Sequence, residues 1–248
     1  MRIIKYKKGS KGLYKVELDD GRVLSLYEDV ILKFDLLLKK EIMDSDLDSI
    51  NKYNLECDVY YVALNNIKSR FKSEFELRNV LKKKEYPDEY IELAINKLIK
   101  QGYLNDRLFA RSYINNQMLT TSRGPLRIQR DLLDKKIDYN VINEELSVFS
   151  EEEQMMKIKK IISKKLQSNH SRGGYVLKQK VVNDVKLLGY DSLVISRVIS
   201  EFDFSSNDED IAKKEYNKLY KRLSHRYLGD ELERKIREKL YQKGLKLK

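Results

Sequence analysis

The stretch Leu177-Lys178-Gln179-Lys180-Val181-Val182-Asn183-Asp184-Val185-Lys186-Leu187-Leu188-Gly189-Tyr190 decides the architecture. Leu177, Val181, Val185 and Leu188 are spaced four, four and three apart, which puts them on one face of an α-helix, and Gly189 stops the run. The arrangement then recurs along the chain. Val181 has counterparts in Leu77, Ile128 and Ile236; Val185 in Leu81, Leu132 and Leu240; Tyr190 in Tyr86, Ile137 and Leu245. A fourth position, Ile195, is matched by Ile91 and Ile142. Successive copies start 51, 53 and 55 residues apart. A helical unit this small cannot bury its apolar face alone, so it stacks on its neighbours. The expected fold is mostly α, with tandem three-helix-bundle repeats in an elongated array and a small β-rich element at the N-terminus.

Working outward from that helix, each unit holds three: one before a capped turn, one carrying the first two repeat positions, and one starting near Tyr86, Ile137 or Tyr190. Capping boxes predict starts at Ser73 with Glu76, Ser150 with Glu153, and Ser206 with Glu209. Gly102, Gly189 and Gly244 mark stops. The expected division is an N-terminal extension over 1–58, repeats over 59–106, 107–153 and 154–207, and a partial repeat of two helices over 208–248. The apolar stripes are core, not a cofactor box.

The front piece reads differently. Residues 13–18 alternate apolar and polar, Asp19-Asp20-Gly21 supplies turn chemistry, and residues 22–27 alternate again, which predicts a β-hairpin. Ile3, Ile4 and Tyr6 add a third strand. So small a sheet needs support, expected from a helix over residues 29–40.

Charge narrows the function classes. The chain of 248 residues carries a net +11 and a sequence pI of about 9.3, which favours a polyanionic partner. Residues 1–12 hold Arg2, Lys5, Lys7, Lys8 and Lys11 without an acid, residues 16–58 are acidic, and the chain is basic from Arg107 onward. No apolar run is long enough to span a bilayer; residues 30–38 are broken by Lys33 and Asp35. With no signal-peptide core and a single Cys57, the expectation is a soluble cytoplasmic protein. Gly9-Ser10-Lys11-Gly12 lacks phosphate-loop spacing, and Gly173-Gly174 is not followed by Lys-Ser or Lys-Thr. His170 and His225 stand far apart, so neither a zinc site nor a nucleophilic set with Cys57 is expected. The expectation is a protein that is not an enzyme and needs no cofactor.

Two segments are more specific than periodicity. One is Gly102-Tyr103-Leu104-Asn105-Asp106-Arg107-Leu108-Phe109-Ala110-Arg111; the other is Ser122-Arg123-Gly124-Pro125-Leu126-Arg127-Ile128-Gln129-Arg130-Asp131-Leu132. Gly102 ends a helix, and Leu104, Phe109 and Ala110 pack the junction with the next. Gly124 and Pro125 open a helix, since proline suits the first turn. Arg123, Arg127 and Arg130 then gather on one side of it.

These segments resemble the G-Y-L-D-D-x-x-F-A-R and G-P-x-x-I-x-x-x-L motifs of the RecX family, regulators of the RecA recombinase. Their order and separation match, and Lys135-Lys136-Ile137-Asp138 resembles the family's K-G-I/F-D turn. The likeness covers roughly residues 60–205 well. Asn105 replaces an acid there, leaving a capping residue, and Lys136 occupies the usual glycine site. The front piece looks like the extension of longer members.

The resemblance implies tandem three-helix repeats that bind the RecA filament, alone or with its single-stranded DNA, and suppress ATPase and strand-exchange activity in recombination, DNA repair and the SOS response. The candidate contact residues are Arg107, Arg111, Arg123, Arg127 and Arg130 in the second unit and Lys178, Lys180 and Lys186 in the third. The expected partners are the filament and its DNA, with no membrane, and a monomer is expected. The alternative is a sequence-nonspecific single-stranded DNA binder that competes for DNA, using tyrosine stacking and phosphate contacts. Tyrosines on apolar stripes, such as Tyr86 and Tyr190, weigh against it.

Overall fold

The computed structural model describes residues 1–10 and 12–246; Lys11 of the N-terminal basic run and the last two residues of the partial repeat lie outside the described residues. Two compact units are present: Met1–Phe109 with Lys135–Ile137, and Ala110–Asp134 with Asp138–Lys248.

The first unit opens with the three-stranded sheet that alternation predicts. Strands β1 (Ile3–Lys8), β2 (Leu13–Leu18) and β3 (Val23–Tyr27) pair antiparallel in the order β1-β2-β3. The hairpin turns at Gly21, whose φ of 85° a side chain rarely adopts. The expected single helix over 29–40 is instead two short ones, α1 (Glu28–Lys33) and α2 (Leu36–Lys39). Asp35 between them takes φ 55°, a left-handed conformation that ends one helix and re-aims the next. Val30, Ile31 and Leu36 then join Val16, Leu18 and Leu26 in one buried cluster.

A 3-10 turn at Asp44–Asp46 leads into the long helix α3 (Leu47–Ser69). Ile50 and Cys57 on α3 close the core of the sheet, while Val59 and Ala63 enter the next cluster with Leu77, Leu81, Ile91 and Leu98. One helix therefore serves the front piece and the first bundle, and the division at residues 58 and 59 passes through it. Asp58 ties them further: it accepts from the Tyr27 hydroxyl at 2.7 Å and from the Tyr86 hydroxyl. Tyr61 donates to Asp29 and stacks on Tyr27 with ring centroids 4.9 Å apart.

The first bundle is completed by α4 (Glu74–Lys82) and α5 (Asp88–Lys100). The same order follows in α6 (Asp106–Thr120), α7 (Pro125–Asp134) and α8 (Tyr139–Leu146), and again in α9 (Glu151–Gln167), α10 (Gly174–Leu187) and α11 (Ser192–Ile199). Helices α12 (Asp208–Leu223) and α13 (Gly229–Gln242) form a pair with their own core, including Leu219, Ile236 and Leu240. Every repeat position read from the sequence is buried except Tyr86, which is half-buried.

The repeated turn has one backbone signature. Glu85, Lys136, Gly189 and Gly244 have φ of 62°, 60°, 91° and 73°, and each immediately precedes Tyr86, Ile137, Tyr190 or Leu245. Lys136 at the glycine site thus keeps the tight turn, at a conformational cost of about 1–2 kcal/mol.

These turns are latched to the start of the second helix of the preceding repeat. The Gly124 amide donates to the Leu188 carbonyl at 2.7 Å, the Gly173 amide to the Lys243 carbonyl at 2.8 Å, and the Ser73 hydroxyl to the Lys135 carbonyl at 3.3 Å. The next amide along is capped by the first residue of the helix two further on: Glu74 N–H donates to Asp106 of α6 and Gly174 N–H to Asp208 of α12, both at 2.8 Å. The residue in this place in the second repeat is Pro125, which has no N–H to satisfy.

Helix starts follow the expected boxes in one case of three. Ser73 and Glu76 form the reciprocal box. Ser150 accepts from the Glu153 amide at 3.2 Å, but Glu153 does not return the bond. Ser206 is not the N-cap: α12 begins at Asp208, with Asn207 at the N-cap and no side-chain cap hydrogen bond there. The reason is local. Asp203 binds the Ser205 amide and hydroxyl at 2.9 Å, which shifts the turn, and Asp208 is engaged with Gly174.

Candidate cationic binding face

Helix α7 carries the arginine motif. Ile128 and Leu132 are fully buried, which turns Arg127 and Arg130 outward. Arg123 and Arg127 converge on one carboxylate: Arg123 pairs with Asp131 Oδ2, and Arg127 Nε lies 3.4 Å from Asp131 Oδ1. Tyr113 donates to the same carboxylate at 3.1 Å, and its hydroxyl pKa is raised by burial and by Asp131. Two guanidiniums over one acid leave an excess positive charge held in fixed geometry. Arg130 stays exposed and outside this cluster, with no ion pair among the described residues. The structure therefore brings Arg123 and Arg127 together and leaves Arg130 beside them, about 60° around the helix from Arg127.

Arg111 has a different task. It makes a bidentate pair with Glu145, Nε to Oε2 at 2.7 Å and Nη2 to Oε1 at 3.1 Å, which raises the arginine pKa. Glu145 is 4% exposed, so this guanidinium holds α8 against α6 and neutralises a buried acid. Arg107 is exposed in the first turn of α6, within the first unit, whereas Arg111 belongs to the second. At the head of that helix Asn105 accepts from the Leu108 amide at 3.0 Å, the cap that replaces the usual acid.

The three lysines of α10 are all exposed and without ion pairs among the described residues; the helix's own acid, Asp184, is taken by Lys165 at 2.8 Å. At about 100° per residue, Lys186 lies roughly 80° from Lys178, but Lys180 lies roughly 200° from it. They do not form one patch. Tyr175, 73% exposed, shares a face with Lys178 and Lys186 instead. The sequence reading missed it, along with Leu187 (79% exposed) and Leu193 (73% exposed). Leu187 stands off the Leu177–Val181–Val185–Leu188 stripe, and that was the available signal. Among the described residues no group of three or more His, Cys, Asp or Glu side chains could hold a metal, and no helix is long and apolar enough to cross a membrane.

Three-helix bundles in series, each closed by a left-handed turn and joined to a β-rich module, define a tandem helical-repeat protein. Comparison with known proteins gives the particular group. The first three-helix domain of RecX matches residues 60–98 and its second three-helix domain matches residues 105–146. The regulatory protein RecX of Bacillus velezensis is 30% identical over 238 residues, covering 94% of this chain and 90% of that protein. That of Oceanobacillus iheyensis is 28% identical, covering 91% and 84%. A crystal structure of regulatory protein RecX superposes with a TM-score of 0.68 at 24% identity, over 81% of this chain and all of the other. The RecX crystal structure from Lactobacillus salivarius gives a TM-score of 0.57 at 25% identity, over 60% and 97%. The chain belongs to the RecX family.

Proposed function

We propose that this protein regulates a RecA-type recombinase by binding its DNA filament and lowering ATP hydrolysis and strand exchange. The observation that carries the reading is the family membership, with relatives named regulatory protein RecX over nine-tenths of the chain. The exposed cations fit it. Arg130, Lys178 and Lys186 have no ionic partner among the described residues, and the Arg123–Arg127–Asp131 cluster keeps an excess charge aimed outward. Several modest contacts on successive repeats gain affinity together when a partner is itself a repeating polymer. On this reading the protein acts as a monomer in the cytoplasm, without chemistry of its own, and the repeats are those bounded at 58, 106, 153 and 207.

The test is DNA-dependent ATP hydrolysis by the cognate recombinase, with and without this protein. The expected result is inhibition that saturates at substoichiometric or stoichiometric protein. Undiminished turnover with the protein in excess sinks the proposal.

A second reading, competition for bare single-stranded DNA, is favoured by one observation: Tyr175 is exposed beside Lys178, so a base could stack where a phosphate is bound. Salt separates the two. A phosphate-dominated competitor loses its effect steeply as salt rises, whereas inhibition through protein contacts persists at salt that abolishes binding to bare DNA.

A further inference from the structure

We propose that the outer face of the N-terminal sheet is a docking surface for the phosphate backbone of a nucleic acid strand. The two sheet faces are unlike. Val16, Leu18 and Leu26 point inward to the buried cluster. The opposite face carries Lys5 and Lys7 of β1 and Lys15 and Glu17 of β2. The register sets Lys7 directly opposite Lys15, and Lys5 opposite Glu17. Lys5, Lys7 and Lys15 are exposed, and their side chains have no hydrogen bond or ion pair among the described residues.

Like charges directly opposite one another on a sheet are destabilising. Protection of an open edge explains lysines on β1, the edge strand, because charged edges discourage pairing with another chain. It does not explain Lys15, which sits on the central strand, where no edge needs protection. A partner that brings negative charge turns the Lys7–Lys15 repulsion into attraction, and that is the reason we assign to the pair. Lysine is depleted at protein–protein interfaces and serves as a point charge on phosphate, which favours a nucleic acid strand over an acidic protein here. Lys5 and Lys7 stand about 7 Å apart along the strand, so the face offers a short cationic track, not a single anion pocket.

This assignment gives the β-rich front piece a task of its own and does not depend on recombinase inhibition. The test uses the full-length protein and a fluorescein-labelled oligothymidylate, with anisotropy titrations over a salt series. The triple variant Lys5→Gln, Lys7→Gln, Lys15→Gln should bind more weakly, and the slope of log K against log salt should fall by about 2, since each lost contact to a single strand removes roughly 0.7. Its thermal midpoint should stay the same or rise, because the repulsion goes with the charges. ATPase inhibition is read separately, so that failure of the regulatory reading shows as unchanged recombinase turnover with DNA binding intact. Parental affinity and slope in the triple variant would overturn the inference. So would displacement by polyglutamate as effective as displacement by unlabelled DNA of equal charge, which would assign the face to an acidic protein.

Discussion

The amide of Gly173 donates to the carbonyl of Lys243 at 2.8 Å, and a Cβ on Gly173 would collide with the carbonyl oxygen of Gly244. The same contact is made by Gly124 on the turn at Gly189, where a Cβ would sit 2.5 Å from the carbonyl oxygen. Both neighbours are backbone and cannot rotate away. Gly124→Ala and Gly173→Ala should each cost about 2 kcal/mol or more, the range of overpacking against fixed structure. Urea denaturation monitored by circular dichroism measures it. A midpoint equal to that of the parent for both variants would show that the latches do not bear on stability.

The turns themselves differ in strain. Lys136 and Glu85 hold φ near 60° with a Cβ, while Gly189 and Gly244 do so without one. Lys136→Gly removes a left-handed penalty of about 1–2 kcal/mol and adds unfolded-state freedom worth about 0.5–1 kcal/mol, so a net gain between zero and about 1.5 kcal/mol is expected. Destabilisation on replacing Lys136 would mean that the added unfolded-state freedom outweighs the backbone strain, since the ammonium paired with Glu76 is that of Lys135 and is untouched.

Tyr190 carries a buried hydroxyl with no hydrogen-bond partner among the described residues. Burial pushes its pKa up to about 12. Tyr190→Phe removes an unsatisfied polar group without opening a cavity and should raise stability by about 1 kcal/mol. The alkaline limit follows the same logic. Burial, with Asp29 nearby, pushes the Cys57 thiol up to about 11, and burial with the Asp58 bond pushes Tyr86 up to about 12. Each group holds its proton more tightly folded than unfolded. The stability this represents is therefore complete below the ordinary values near 9 and 10, and is lost as pH rises toward 11 and 12. Urea midpoints should fall between pH 8.5 and 11, and Tyr190→Phe should shrink that fall. The same burial predicts that Cys57 reacts with iodoacetamide only when the chain opens, at a rate that grows with urea.

The repeats were legible because each copy buries its own stripe: Val181 and Val185, like Leu77 and Leu81, announce a helix face without knowledge of any neighbour. The sheet was legible for the same reason, through alternation around Asp20 and Gly21. What escaped was set at a distance or by a single backbone angle. Asp35 broke the helix expected over 29–40 because an aspartate tolerates a left-handed φ, and no periodicity encodes that choice. The latch from Gly124 to Leu188 runs between backbone atoms, so side-chain patterns do not report it. Among the candidate residues, the Arg127–Asp131 pair could be read as neighbours four apart. The Arg111–Glu145 pair, 34 residues apart, could not, and it gives a proposed contact residue an intramolecular partner as well.

That difference separates two arginines of one motif. Arg123 is bound to Asp131 together with Arg127 and Tyr113, whereas Arg130 stands exposed beside them. Arg123→Glu would place a second carboxylate against Asp131, so the variant should lose stability as well as any partner contact. Arg130→Glu touches no internal partner and should leave the urea midpoint within about 0.5 kcal/mol of the parent. If the α7 face meets the filament or its DNA, Arg130→Glu weakens ATPase inhibition about three- to tenfold at matched salt, the range for reversing one exposed charge in a contact. Inhibition curves and denaturation curves on the same preparations distinguish the outcomes. Full inhibition by Arg130→Glu, and by the Arg123, Arg127 and Arg130 triple reversal wherever that variant remains helical, would remove this face from the proposed contact and leave Tyr175, Lys178 and Lys186 on α10 to carry it.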